Sequence, residues 1–272
     1  MQFPQINLSK KSPNWNIIQF PDGQQDIIIN AEKYLNSEAV VITSRFNSFK
    51  DLELILCATA ALRRVKVKNI ILDMPYLLGG RSDRVFSAGG TSYLRDVVSP
   101  IINSQKYSEV WVYDVHNVAV ADACINNLYV RSNASLVGKV LNDIGDCEII
   151  APDEGAGKKI YKLLEDIGWD KTPIVCSKKR NSEGAIIDTQ IGGVVSFQGK
   201  KAVIVDDICD GGRTFIEIAK KVLLLDCPEV HLVVSHGIFS NGFGELSKYI
   251  KHIHCTNSIS DITNPIVTQY PI

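Results

Sequence analysis

The residues best suited to do chemistry stand in one short run, VIVDDICDGGRTF, residues 203–215. An apolar stretch, Ala202–Val205, reads as a strand that ends in two adjacent carboxylates, Asp206 and Asp207. Asp210, Gly211 and Gly212 then make a turn, and a helix is expected to start at Arg213 or Thr214. Glycines in such a turn let backbone N–H groups converge on an anion, and the dipole of the following helix favours it. Adjacent carboxylates repel phosphate. They suit the vicinal hydroxyls of a sugar, or a magnesium ion held through water. Acids and turn together read as a site for a phosphorylated sugar; the plainer alternative is a helix cap after a tight turn.

The elements that must position this run alternate strand and helix. Short apolar runs at Asp26–Ile29, Ala39–Thr43, Asn69–Met74 and Glu109–Tyr113 read as strands. Leu52, Leu54, Ile55, Ala58, Leu62 and Val65 fall on one stripe of a helix over Asp51–Lys66, capped by Ser48 or Asp51. Another helix is expected over Leu94–Asn103. The pattern then restarts, with helices over Ala134–Ile144, Gly157–Ile167 and Arg213–Leu225. Strands are expected over Glu148–Ala151, Pro173–Cys176, Lys201–Val205 and Val230–Ser235. Ile186–Phe197 reads as a hairpin closed through Gly192 and Gly193, Phe243–Tyr249 as a helix and Lys251–Cys255 as the last strand. The repeated βαβ rhythm predicts an α/β chain of two parallel-sheet domains, residues 1–132 and 133–272. The closing residues are expected to pack back on the first domain.

Composition narrows the class. The chain has 272 residues, 45% of them hydrophobic, more than one average core needs and enough for two domains. Its formal net charge is −1, so it lacks the basic excess of a general nucleic-acid or membrane-surface binder, and phosphate recognition must be local. No apolar run has the length of a transmembrane helix, and the polar start MQFPQINLSKKSPNWN lacks the apolar centre of a secretory signal. The 7 cysteines are scattered, without a CxxC pair or metal-ligand spacing. They read as reduced thiols of a cytoplasmic protein, each a small apolar filler.

The run 203–215 resembles the sugar-phosphate loop of type I phosphoribosyltransferases and of ribose-phosphate pyrophosphokinases. Other segments favour the second family, in its order and at similar spacing. FPDGQ, residues 20–24, resembles its Phe-x-Asp-Gly-Glu segment. ALRR (61–64), Pro75-Tyr76 and RSDR (81–84) follow, the last resembling its Arg-Gln-Asp-Arg segment. DVH (114–116) resembles Asp-Leu-His, and APDEGAG (151–157) resembles Pro-Asp-x-Gly-Gly. KKR (178–180) resembles the Lys-Arg-Arg at the base of a catalytic loop, and SHGIFS (235–240) the Thr-His-Gly-x-Phe-Ser strand end. Each alone has a bland reading as a turn, a solvated charge run or a structural histidine. Their shared order is what carries the resemblance.

The resemblance implies two Rossmann-like parallel-sheet domains of the type I phosphoribosyltransferase kind. It implies a magnesium-dependent enzyme that uses ATP to place a diphosphate on the anomeric hydroxyl of a ribose 5-phosphate unit. Phe20, Asp22 and Gln24, from a neighbouring subunit, with Arg81, Ser82, Asp83, Arg84 and His116, would bind ATP, which implies a homo-oligomer, dimer or higher. His116 and Asp153 would contact Mg²⁺. Lys178 and Arg180 would be catalytic. Asp206 and Asp207 would hold the ribose hydroxyls, and Asp210, Gly211, Gly212, Arg213 and Thr214 the 5-phosphate. No nucleic-acid or membrane partner is expected.

The chain also departs from the family. Phe20 comes early, so the family's opening strand–helix unit is expected to be reduced. The family's Asp-Thr-x-Gly-Thr loop is here Asp210-Gly211-Gly212-Arg213-Thr214, with a hydroxyl lost at Gly211 and an Arg in place of a Gly. That loop suits ribose 5-phosphate with Arg213 as a clamp, or a diester such as ADP-ribose. Gln24 replaces an acid and Ser82 an amide. A phosphoribosyltransferase and a non-catalytic regulatory homologue are the competing readings. FPDGQ, RSDR and DVH speak against the first, and Lys178, Arg180, His116 and Asp153 against the second.

Overall fold

The computed structural model describes residues 3–180 and 186–272, with the backbone alone for 178–180 and 186–189. It divides into two units, Met1–Arg131 and Ser132–Ile272.

In the first unit the elements run β1 (Gln5–Asn7), β2 (Trp15–Gln19), β3 (Gln25–Ile29), α1 (Ala31–Tyr34), β4 (Ala39–Thr43), α2 (Phe49–Arg64) and β5 (Asn69–Met74). A π-helical turn, Leu94–Val98, leads into α3 (Ser99–Ser104), then β6 (Glu109–Tyr113), α4 (Val118–Cys124) and β7 (Leu128–Arg131). β1, β4, β5, β6 and β7 pair in that order, all parallel. Every residue of β4 is buried, as a parallel strand covered on both faces requires. α2 lays Leu52, Ile55, Ala58 and Leu62 on the same core as Ile42 and Leu72. Its start is fixed by Asp51, whose carboxylate accepts from the Ser48 N–H at 2.7 Å.

Sequence periodicity predicts one regular helix over Leu94–Asn103, and the structure differs there. Pro100 has no N–H to give an α-helical ladder, and the turn before it widens. Ser99 compensates by sending both its N–H and its hydroxyl, the latter at 2.7 Å, to the Leu94 carbonyl.

The second unit runs α5 (Ala134–Ile144), β8 (Cys147–Ala151), α6 (Glu154–Asp166), β9 (Ile174–Arg180), β10 (Ile186–Ile191), β11 (Lys201–Cys209), α7 (Arg213–Leu223), β12 (Val230–Gly237), β13 (His252–Thr256) and β14 (Val267–Tyr270). Sheet order is β10-β9-β8-β11-β12-β13-β14, with only the β9–β10 pair antiparallel. Alternate residues of β11 serve two cores. Val203 and Val205 meet α5 and α6, while Ala202 and Ile204 meet α7.

Several sequence expectations are corrected here. The hairpin is not Ile186–Phe197 closed on itself: Ile186–Ile191 pairs back with β9, and Gly192 and Gly193 merely turn the chain away. β11 does not stop before the acids but runs through them to Cys209, because Ile208 and Cys209 still pair with His236 and Gly237. α6 starts at Glu154, three residues early, because Asp153 caps it. Phe243–Tyr249 holds only a 3₁₀ turn, Leu246–Lys248, as Gly242 and Gly244 interrupt any longer helix. Lys251–Cys255 is not the last strand. β14 follows and pairs with β13 inside the second unit.

Candidate functional site

The order of the second sheet reverses between β8 and β11: the chain leaves β8 toward β9 on one side and leaves β11 toward β12 on the other. Ligands of open parallel sheets collect in the crevice at the carboxyl ends of two such strands. Asp153 stands just past β8, and Asp206, Asp207 and Asp210 stand at the end of β11.

Asp207 is buried and Asp206 half-buried, and the Asp206 carboxylate accepts from the Asp207 N–H at 2.9 Å. Burial raises the Asp206 pKa well above the ordinary carboxylate range, and the charges of Asp207 and Asp153 push the same way. A small cavity beside the pair is lined by Asn133, Ala156, Lys159, Asp206 and Asp207. Asn133 is buried beneath it and donates to the Ser235 hydroxyl at 3.2 Å. Asp153 spends one carboxylate oxygen on the Ala156 N–H at 3.0 Å, which starts α6.

The turn after the acids takes its shape from Gly212, which caps α7 at φ +79°. A side chain there would be strained and would strike Leu246 at 2.8 Å. The first hydrogen bond of the helix runs from the Ile216 N–H to the Gly212 carbonyl at 3.0 Å. The N–H groups of Arg213, Thr214 and Phe215 thus have no acceptor within the helix, the arrangement that holds phosphate. Arg213 is exposed at the mouth, and Thr214 and Asp210 are half-buried. The Ser240 hydroxyl donates to Asp210 at 2.7 Å.

In the first unit, Phe20, Asp22 and Gln24 form the exposed tip of the β2–β3 hairpin. The Phe20 N–H donates to the Gln24 carbonyl at 2.9 Å, and the Gln24 N–H donates to the Asp22 carboxylate at 3.1 Å. Arg81, Ser82, Asp83 and Arg84 lie on the loop after β5, and His116 is exposed after β6. Asn117 joins the two loops: its amide donates to Asp83 at 2.7 Å, and its carbonyl caps α4. The Ser82 hydroxyl accepts from the Tyr93 N–H at 3.2 Å, and the Arg84 guanidinium lies 5.2 Å from the centre of the Phe86 ring.

His116 belongs to the first unit and Asp153 to the second. Lys178 and Arg180 fall at the end of β9, where their side chains lie outside the described residues. Sequence reasoning missed Asn117, Asn133 and Asn241, and it quoted Ser240 within SHGIFS without giving it a role. Asn117 and Asn241 directly follow quoted segments, DVH and SHGIFS, and an Asn beside a recognised motif is the signal that would have found them.

A parallel α/β unit with an acid pair and a glycine turn at its switch point defines the type I phosphoribosyltransferase class of fold. A solved phosphoribosylpyrophosphate synthetase from Mycobacterium smegmatis superposes with a TM-score of 0.78 at 16% identity, over 94% of this chain and 85% of its own. No family model matches the chain. The ribose-phosphate pyrophosphokinase of Pyrococcus abyssi is 29% identical over 94% of this chain and 88% of its own length. That of Thermococcus kodakarensis is 27% identical over 93% and 88%. The chain is a divergent relative of the ribose-phosphate pyrophosphokinases. Among the described residues, no helix is long and apolar enough to cross a membrane.

Proposed function

We propose that the chain transfers the β,γ-diphosphate of ATP to the anomeric hydroxyl of ribose 5-phosphate, or of a compound containing it, and releases AMP. The observation that carries this reading is the junction of acid pair and anion-binding turn at one switch point. Similarity to the pyrophosphokinases supports it over nearly the whole chain.

The anomeric oxygen attacks the β-phosphorus, the α–β bridging bond breaks with its electrons on AMP, and the hydroxyl proton leaves to solvent. Such transfers depend on positioning and on neutralising charge. Asp206 and Asp207 accept hydrogen bonds from the vicinal ribose hydroxyls. The N–H groups at the start of α7, with Arg213 and Thr214, hold the 5-phosphate. Arg81, Ser82, Asp83 and Arg84 bind ATP, as do Phe20, Asp22 and Gln24 from a second copy of the chain. Lys178 and Arg180 stabilise the transferring phosphates.

Magnesium would neutralise the triphosphate. Among the described residues no group of three or more His, Cys, Asp or Glu side chains forms a cage for a metal. The residues do fit an ion that keeps water and phosphate as its main ligands, because Asp153, Asp206 and Asp207 concentrate negative charge that a cation relieves. Asp153 is the contact we assign to it in the second unit.

A second acceptor is favoured by one feature. The loop carries an exposed Arg213, whose guanidinium can pair with a second phosphate of a diester, as in ADP-ribose. The deciding experiment measures AMP formed from ATP and Mg²⁺ with ribose 5-phosphate and ADP-ribose in parallel. AMP with ribose 5-phosphate supports the first reading, and AMP with ADP-ribose alone supports the second. AMP with neither would leave a phosphoribosyltransferase or a non-catalytic homologue.

A further inference from the structure

We propose that Asn241 is a further binding residue for the 5-phosphate end of the sugar substrate, its carboxamide standing where a side chain at position 211 would stand. This rests on the sugar-phosphate reading of the second unit. A Cβ built on Gly211 would come within 2.7 Å of Asn241 Nδ2. Gly211 is outside the left-handed region, so a side chain there would meet no backbone strain and would have to displace the exposed Asn241 amide.

Asn241 is held in this place by its neighbours. The Ile238 and Phe239 N–H groups both donate to the Cys209 carbonyl, at 2.9 and 3.2 Å. The Ser240 N–H and hydroxyl then donate to the Asp210 carbonyl and carboxylate, at 3.2 and 2.7 Å. The chain therefore delivers Asn241 to the rim of the turn. Its Nδ2 donates to the Gly211 carbonyl at 3.3 Å, a long bond that a phosphate oxygen can outcompete. The amide thus supplies a donor in place of the hydroxyl the loop lacks at 211, from a different segment of chain. A neutral amide serves a monoester or a diester, so the ligand chemistry it recognises is a sugar 5-phosphate with or without a further substituent.

The test is calorimetric titration of the full-length chain with ribose 5-phosphate and, separately, with ADP-ribose. Asn241→Ala is expected to weaken the acceptor that the wild type binds by about three- to tenfold, the worth of one hydrogen bond, with ATP affinity unchanged. Gly211→Thr alone should also weaken it, because it pushes the amide aside. Gly211→Thr with Asn241→Gly should recover affinity, a non-additive result. Wild-type affinity in Asn241→Ala, or simple addition of the two single effects, would overturn the proposal. A wild type that binds an acceptor and forms no AMP overturns the proposed reaction and leaves Asn241 to be judged by the same titrations. A wild type that binds neither acceptor overturns both.

Discussion

Asp206 sits where its charge is least welcome, because burial and two neighbouring carboxylates all oppose ionisation. A carboxyl whose folded pKa lies above its unfolded value opposes folding once charged. That penalty is absent below the unfolded pKa and grows as pH rises through the folded one. Asp206→Asn is therefore expected to raise Tm at neutral pH by a few degrees, with the gain fading toward about pH 4, while sugar binding falls. Thermal melts across that range, paired with acceptor titration, check both halves. Equal Tm in the two proteins at neutral pH would show that the acid pair is not strained. The buried thiols give a second expectation at this scale. Burial pushes Cys147 and Cys255 up to about 11 and Cys209 to about 12. Only Cys57 and Cys124, the two half-buried cysteines, should react with iodoacetamide in the native chain, as peptide mapping would read out.

Among the elements, α6 separates two roles of Asp153. Asp153→Ala removes the cap and should cost about 1 kcal/mol of stability. Asp153→Asn keeps a good cap, so its Tm should stay near wild type while the Mg²⁺ concentration needed for half-maximal activity rises. An unchanged magnesium requirement would make Asp153 a cap alone. The β12–β14 edge carries a different pH dependence. His254 is buried among His231, His252 and Tyr270, with Asp143 and Glu229 the nearby acids, and burial lowers its pKa to about 4. It must stay neutral in the fold, so the stability it contributes is present above its unfolded pKa and lost as pH falls from there toward 4. His254→Gln should flatten the acid limb of the stability curve.

Strand cores were legible because buried parallel strands are unbroken apolar runs, as at Ala39–Thr43 and Val230–Ser235. Their ends were not. β11 passes through Asp206 and Asp207 because its backbone partner on β12 continues, a tertiary fact no local pattern contains. β1 and β14, three and four residues long, are fixed by pairing with β4 and β13 and carry little pattern of their own. The glycine turn and acid pair could be read directly, since their chemistry is local. The Asn241 contact with Gly211 could not, because it joins residues thirty apart.

For the molecule as a whole, the exposed hairpin tip at Phe20–Gln24 makes a prediction about assembly. If a second copy completes each ATP site, a Phe20→Ala/Asp22→Ala chain and an Arg81→Ala chain should each be impaired alone. Mixed and reassembled, they should regain activity that neither shows separately, because some mixed sites carry both intact parts. No recovery after subunit exchange would mean that each chain builds its own site.

The strand order also dictates how each sheet can be assembled as the chain leaves the ribosome. In the first unit β4 returns to β1, and β5, β6 and β7 are each laid beside the strand made just before, so the sheet grows as it emerges. In the second, β8 must keep its inner edge open until β11 arrives, after the β9–β10 hairpin has been made on its other side. During that interval β8 exposes unpaired backbone and apolar side chains, the condition under which nascent chains mispair or recruit chaperones. The strand that brings the acids to their place closes that gap, so the site cannot exist before its scaffold is secured.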